Sequence, residues 1–183
     1  MPLSSGTHSL VPEAGEITVN VYRDGLAAKM GHDLVFGVTK WSGKVQVDRE
    51  NPAASNVQLT IDPSSFEIIG AKGGIKPLSD KDRVDIKKNI YDKILMTYRN
   101  PEIIFQSTEI SGTASDFKVK GDLALAGKSQ PVTLDVRVDQ SSGRARGKTT
   151  IQQSSFGIRP FSAFLGALTV KDAVDIQFDI KIP

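Results

Sequence analysis

The second half of the chain alternates apolar and polar residues with a period of two. Val132, Leu134, Val136 and Val138 alternate with Thr133, Asp135, Arg137 and Asp139. Val174, Ile176, Phe178, Ile180 and Ile182 alternate with Asp175, Gln177, Asp179 and Lys181. Between them and the start, Val119, Leu123 and Leu125 share one side of a strand whose other side carries Lys118, Lys120 and Asp122. A period of two places every second side chain on one face, so each strand has a dry side and a wet side. A chain made of such strands must turn all its dry faces toward a common interior.

The rest of the chain extends the pattern. Ile17, Val19 and Val21 predict a first strand, broken at Asp24-Gly25 and followed by one helical turn, LAAKM, ending near Gly31. From Leu34 to Val47 a long strand is expected whose apolar row switches near Trp41, with Gly37 or Gly43 as the corner. Val57, Leu59 and Ile61 form another strand, ended by Asp62-Pro63, and residues 68–77 read as a Gly-rich loop. Residues 101–138 read as three consecutive antiparallel strands, with AGKSQP as the turn before the third. A further strand, RARGKTTIQQ, precedes an aromatic-rich irregular segment, SSFGIRPFSAFLGAL.

One helix stands out, over about 79–95. Ser79 and Asp82 have capping-box spacing, acids lie early and lysines late, and Ile86, Ile90 and Ile94 make one apolar stripe. The fold class is therefore all-β: an antiparallel, up-and-down, eight-stranded barrel with one internal helix, which buries every dry face and leaves no open edge. A two-sheet sandwich is the alternative. Residues 1–15 read as a flexible polar tail and 16–183 as the barrel domain.

Composition narrows the function. Net charge is +2, with 23 basic and 21 acidic residues interspersed, so no basic stripe tracks nucleic acid. The absence of cysteine removes disulfides, thiolate nucleophiles and Cys-based zinc sites. There is no apolar run of transmembrane length, and the N-terminal MPLSSGTHSLVPEAGE is not a secretory signal. The expectation is a cytoplasmic protein, or a periplasmic or secreted one if this is a mature form.

Several motifs have plainer readings. Ala126-Gly127-Lys128-Ser129 imitates the end of a phosphate-binding loop, but position 122 is Asp and a strand, not a helix, follows. His32-Asp33 could orient an imidazole for acid–base work; a strand-start histidine with a local hydrogen bond, or a contact to a ligand head group, is the simpler assignment. Asp80, Asp82 and Asp85 fit a helix start, and Asp172, Asp175 and Asp179 fall partly on a solvent face; neither set has calcium-loop spacing. No metal and no cofactor are expected.

Four fragments, in order, carry a family resemblance: PEIIFQST from Pro101 to Thr108, GDLAL from Gly121 to Leu125, KSQPVTL from Lys128 to Leu134, and SFGI from Ser155 to Ile158, followed by the closing strand from Asp172 to Ile176. Together they resemble the YceI-like family across about 35–182. The resemblance implies a lipocalin-like barrel that holds a polyisoprenoid or similar amphipathic chain in a tunnel-like pocket, without catalysis. Many members carry a secretion signal, and Lys29–Asp33 matches the family's start only loosely.

The function expected is non-enzymatic binding, storage or transport of an isoprenoid-type lipid, a polyprenyl chain or an isoprenoid quinone, inside the barrel. Wall candidates are the inward apolar residues Val45, Val47, Leu59, Ile61, Phe105, Leu123, Leu125, Leu134, Val136, Ile176 and Phe178. Phe156, Phe161 and Phe164, with Leu165, frame an entrance or plug one end. The runner-up is a structural or stress-related barrel with a filled interior that acts through a protein partner. An enzyme with a small polar pocket ranks last, because alternation puts almost all charges outside. A homodimer is compatible with the sequence, although no interface stripe is visible.

Overall fold

The computed structural model describes residues 2–113 and 115–183. Its strands, in chain order, are β1 (Gly6–Leu10), β2 (Gly15–Val21), β3 (Arg23–Asp24), β4 (His32–Val38), β5 (Trp41–Val47), β6 (Asn56–Ile61), β7 (Phe66–Gly73), β8 (Ile103–Gly112), β9 (Asp116–Leu125), β10 (Lys128–Asp139), β11 (Arg144–Gln152), β12 (Ser162–Ala163), β13 (Leu168–Val170) and β14 (Ala173–Lys181). Helix α1 covers Asp80–Asn89 and continues as a π-helical turn over Ile90–Ile94.

Eleven strands, not eight, form one antiparallel sheet in the order β1-β5-β6-β8-β9-β10-β11-β14-β2-β4-β7; β12-β13-β3 make a small second sheet. The count rises because three arms break at corners. β1 and β2 are separated by a 3-10 turn at Pro12–Ala14, β4 and β5 by Thr39 and Lys40, and β6 and β7 by a 3-10 turn at Pro63–Ser65. The halves keep their neighbours across the break. β1 pairs with β5 while β2 pairs with β4, and β5 pairs with β6 while β4 pairs with β7. Hydrogen bonds from Thr39 N–H to Ser65 O (3.2 Å) and from Asp62 N–H to Lys40 O (3.0 Å) carry the pairing through the second corner. The sheet thus begins on half of the β1/β2 arm and ends on half of the β6/β7 arm, on either side of the β4/β5 arm, and it curls round one interior as a lipocalin-like barrel.

Four local expectations change. Residues 6–10 are not a free tail: they pair along β5, which otherwise presents an unpaired edge, and Leu3 and Leu10 are buried. Met1 lies outside the described residues. The switch of the apolar row falls at Thr39-Lys40, where the chain leaves one half-strand and enters the next, rather than at Gly37 or Gly43. The segment read as a Gly-rich loop is half strand, since β7 runs to Gly73 and bulges opposite Val35/Phe36. The turn before β10 is only Ala126-Gly127, both with left-handed φ (50° and 79°), as a two-residue hairpin turn requires.

Helix α1 starts where its residues dictate. Ser79 Oγ accepts from Asp82 N–H (3.1 Å), and Asp82 Oδ2 accepts from Ser79 N–H (2.9 Å), a reciprocal capping box. Tyr91 Oη donates to Phe66 O (2.9 Å) and Lys87 Nζ to Glu67 Oε1 (2.6 Å), which fasten the helix to β7. Its isoleucines face the barrel interior. Among the described residues, no helix is long and apolar enough to cross a membrane.

Candidate functional site

The inward rows of the strands do not meet. They surround a cavity of about 950 Å³. Register explains the lining: Leu134 stands opposite Val119, Phe178 opposite Ile17, Ile176 opposite Val19, and Val45 opposite Val57, each pair on the inner face. Several of these side chains, Leu134, Val136, Ile176 and Phe178 among them, point inward yet are only half-buried, because the space they face is empty of protein.

Two glycines keep that space open. Gly121 on β9 and Gly147 on β11 lie beneath the rings of Phe105 and Phe178, so each ring rests on the wall instead of crossing the lumen. A side chain at either glycine would occupy the ring's seat. A hydroxyl on the wall, Thr149 Oγ1, donates to Thr133 O (2.8 Å), which satisfies its donor without a ligand.

Charge is confined to the two ends. Asp48 and Arg49 lie at one, and Arg23, His32, Lys76, Asp82 and Asp85 at the other, beside α1. The middle of the cavity is lined by aliphatic and aromatic side chains. At the α1 end, His32 Nε2 lies 2.9 Å from Lys76 O, holding the loop after β7 across the mouth. Its partner is distant in sequence, not local as expected. Asp33 accepts from Arg23 N–H (2.9 Å) and faces its Nε at 3.8 Å. Ser79 holds the Asp82 carboxyl below the ordinary carboxylate range, chiefly through its hydroxyl.

Apart from Asp80, the carboxylates weighed as cation ligands are engaged by protein. Asp85 pairs with Lys81 (2.5 Å), Asp172 accepts from Ser154, Asp175 from Tyr22 and Thr150, and Asp179 from Arg144 and Arg146. Among the described residues, no group of three or more His, Cys, Asp or Glu is arranged to hold a metal ion.

Thirteen of the sequence candidates line the cavity: Val45, Val47, Leu59, Ile61, Phe105, Leu123, Leu125, Leu134, Val136, Phe161, Phe164, Ile176 and Phe178. Phe156 does not. It is 2% exposed and belongs to the solid core, on a 3-10 turn laid against β10 and β11. Helix α1 and the loop carrying Phe161 and Phe164 flank the same mouth, with Ile86, Ile90 and Ile94 facing the cavity from the helix. Sequence reasoning left out Leu3, Leu10, Ile17, Leu34, Phe36 and Phe66. For Ile17 the alternation was visible. Leu3 and Leu10 sit singly among polar residues and give no periodic signal.

An antiparallel barrel wrapped around an apolar internal cavity, one mouth flanked by a helix, is the architecture of a lipocalin-like binding protein. The chain belongs to the YceI-like family: the YceI-like domain matches residues 9–182. It is 30% identical over 110 residues to the protein YceI of Escherichia coli O17:K52:H18, a match covering 60% of this chain and 51% of that protein. The chain thus spans about half the length of that relative. Burkholderia cenocepacia BcnA shares the fold with a TM-score of 0.71 at 21% identity, over 93% of this chain and 98% of BcnA. A polyisoprenoid binding domain from Saccharophagus degradans, implicated in plant cell wall breakdown, matches with a TM-score of 0.56 at 14% identity, over 98% of this chain and the whole of that domain.

Proposed function

We propose that this protein is a non-enzymatic binder of an isoprenoid-type lipid, a polyprenyl chain or an isoprenoid quinone, which it stores or carries with the chain inside the barrel. The observation that carries the reading is the cavity. Its roughly 950 Å³ lies near the top of the ~300–1,000 Å³ range of small-molecule pockets, and its middle offers no charge to a ligand. Each CH₂ taken from water into such a lining is worth ~0.8 kcal/mol, so a prenyl chain is held by area with few polar contacts. The Saccharophagus neighbour, a polyisoprenoid binding domain of the same fold, supports the ligand class.

The filled-barrel alternative has the cavity against it. A fold that keeps such a space, and sets glycines under two phenylalanines to preserve it, is shaped for an occupant. Among the described residues, no titratable groups converge inside the lumen to support catalysis.

Native mass spectrometry of the purified protein, followed by organic extraction, tests the reading. A stoichiometric prenyl lipid or quinone is expected. A folded protein that is empty and takes up no added isoprenoid overturns it.

A further inference from the structure

At the α1 end, large apolar side chains stand in water around the cavity mouth. Leu26 is 100% exposed, Leu165 is 109%, Ile75 is 77% and Phe164 is 61%. Single exposed hydrophobics are ordinary, but here several share one rim. They are held together: Ala27 N–H donates to Ala167 O (2.8 Å), joining the loop of Leu26 to that of Leu165. Phe164 and Ile75 also line the cavity, so the exposed rim and the apolar interior are continuous. Phe164 and Leu165 both adopt left-handed φ (50° and 54°), a conformation that non-glycine residues avoid, in a turn that presents both side chains outward.

The same three loops concentrate positive charge. Residues 23–31, 69–78 and 159–171 contain six basic residues against one acid, Asp24, in a chain whose net charge is +2. Arg23 is occupied by Asp33. Lys29, Lys72, Lys76, Arg159 and Lys171 are exposed and enter no ion pair among the described residues.

We propose that this rim docks the barrel mouth onto an anionic lipid bilayer. Apolar loop tips seat among the acyl chains while the ring of cations meets the head groups, the two-part signature of interfacial binding. The acids at this end are already engaged, Asp33 by Arg23, Asp85 by Lys81 and Asp82 by Ser79, so a second copy, which would set the unpaired cations of this rim against one another, fits less well. The proposal rests on the lipid-binding reading and extends it: a mouth seated on the bilayer lets a prenyl chain pass into the barrel without crossing water.

Sedimentation with vesicles of equal parts phosphatidylglycerol and phosphatidylcholine, free of isoprenoid, tests docking separately from cargo binding. The wild-type protein is expected to co-sediment, less so with phosphatidylcholine alone and less as salt rises. Leu26→Glu with Leu165→Glu should weaken sedimentation by about tenfold or more, and Lys29→Ser with Lys171→Ser by roughly fivefold per charge. Both pairs should still take up farnesol supplied from detergent, because their side chains lie outside the lumen. Wild-type protein that binds farnesol but ignores the vesicles overturns docking and leaves the cargo reading standing; vesicle binding without farnesol uptake does the reverse. Equal sedimentation of wild type and both variants, or a dimer lost in Leu165→Glu without any vesicle binding, also overturns docking.

Discussion

The ring of Phe178 on β14 lies directly over Gly147, its cross-strand partner on β11. The glycine supplies no side chain, and the ring fills that place, a pairing that protects the exposed backbone and flattens the wall. Gly147→Ala puts a methyl where the ring edge now sits, so the ring must swing into the lumen. Such overpacking is expected to cost about 1–3 kcal/mol in urea unfolding and to weaken uptake of a prenyl probe. Adding Phe178→Leu removes the collision, and the double variant should recover stability relative to Gly147→Ala alone. A cycle with no coupling between the two sites would show that the contact is unimportant.

Leu134 tests the lumen itself. It faces the cavity opposite Val119, in the middle of the wall. Leu134→Trp adds bulk where space is available, so the fold should tolerate it with a stability change under ~1.5 kcal/mol. The indole then occupies part of the volume that a chain would use. Prenyl-lipid titration should show at least a tenfold loss of affinity, given ~0.8 kcal/mol for each CH₂ excluded. Undiminished binding would mean that the ligand lies elsewhere.

The barrel was legible because its signal is local. The alternation in β9, β10 and β14 survives without knowledge of any partner strand, and it places Leu123, Leu125, Leu134, Val136, Ile176 and Phe178 on the inner face. What escaped depends on contacts distant in sequence. β1 is a strand because β5 offers it an edge, not because GTHSL alternates cleanly. β7 hides behind its glycines, which a loop and a bulged strand use equally. Phe156 looked like Phe161 and Phe164 in sequence, yet the turn that carries it folds onto β10 and β11 and takes the ring into solid core. No period reports such a choice. The size of the cavity was equally hidden, since it follows from where rings rest and not from which residues are apolar.

Tyr91 and Phe66 form the latch between helix and barrel. Tyr91 lies on the π-helical turn that ends the helix, and burial pushes its phenol pKa up. Tyr91→Phe removes only the hydroxyl, and with it the hydrogen bond to Phe66 O; a net loss of about 0.5–1.5 kcal/mol is expected. If the helix gates the mouth, amide exchange over 80–94 should accelerate more than exchange in β9–β11, and release of a bound prenyl probe should quicken in parallel. Ser79→Ala, which deletes the cap at the opposite end, should do the same through a loss of about 1 kcal/mol. Faster amide exchange with unchanged release would assign the helix a purely structural role.

Acid should loosen the outer face of β11 and β14 before it affects the apolar wall. Asp179 sits between Arg144 (2.6 Å) and Arg146 (2.9 Å), and those hydrogen bonds, Arg144 first, hold its carboxyl below the ordinary range. Asp175 is lowered in the same way by Thr150 and Tyr22. A carboxyl with a folded pKa below its unfolded value of ~3.9 stabilises fully above that value, and the contribution disappears as pH falls through the folded pKa. Asp139 follows the same rule with its carboxyl lowered to about 2 by Ser141 and Ser142, so its share persists until the pH approaches that value. Thermal unfolding of the wild type should therefore be flat near neutrality and fall steeply below pH ~4. Asp179→Asn should unfold at a slightly lower temperature at pH 7, and its curve should converge on the wild type as the native carboxyl is protonated. A constant offset between the two curves down to pH ~2 would place the cost in lost geometry rather than in ionisation.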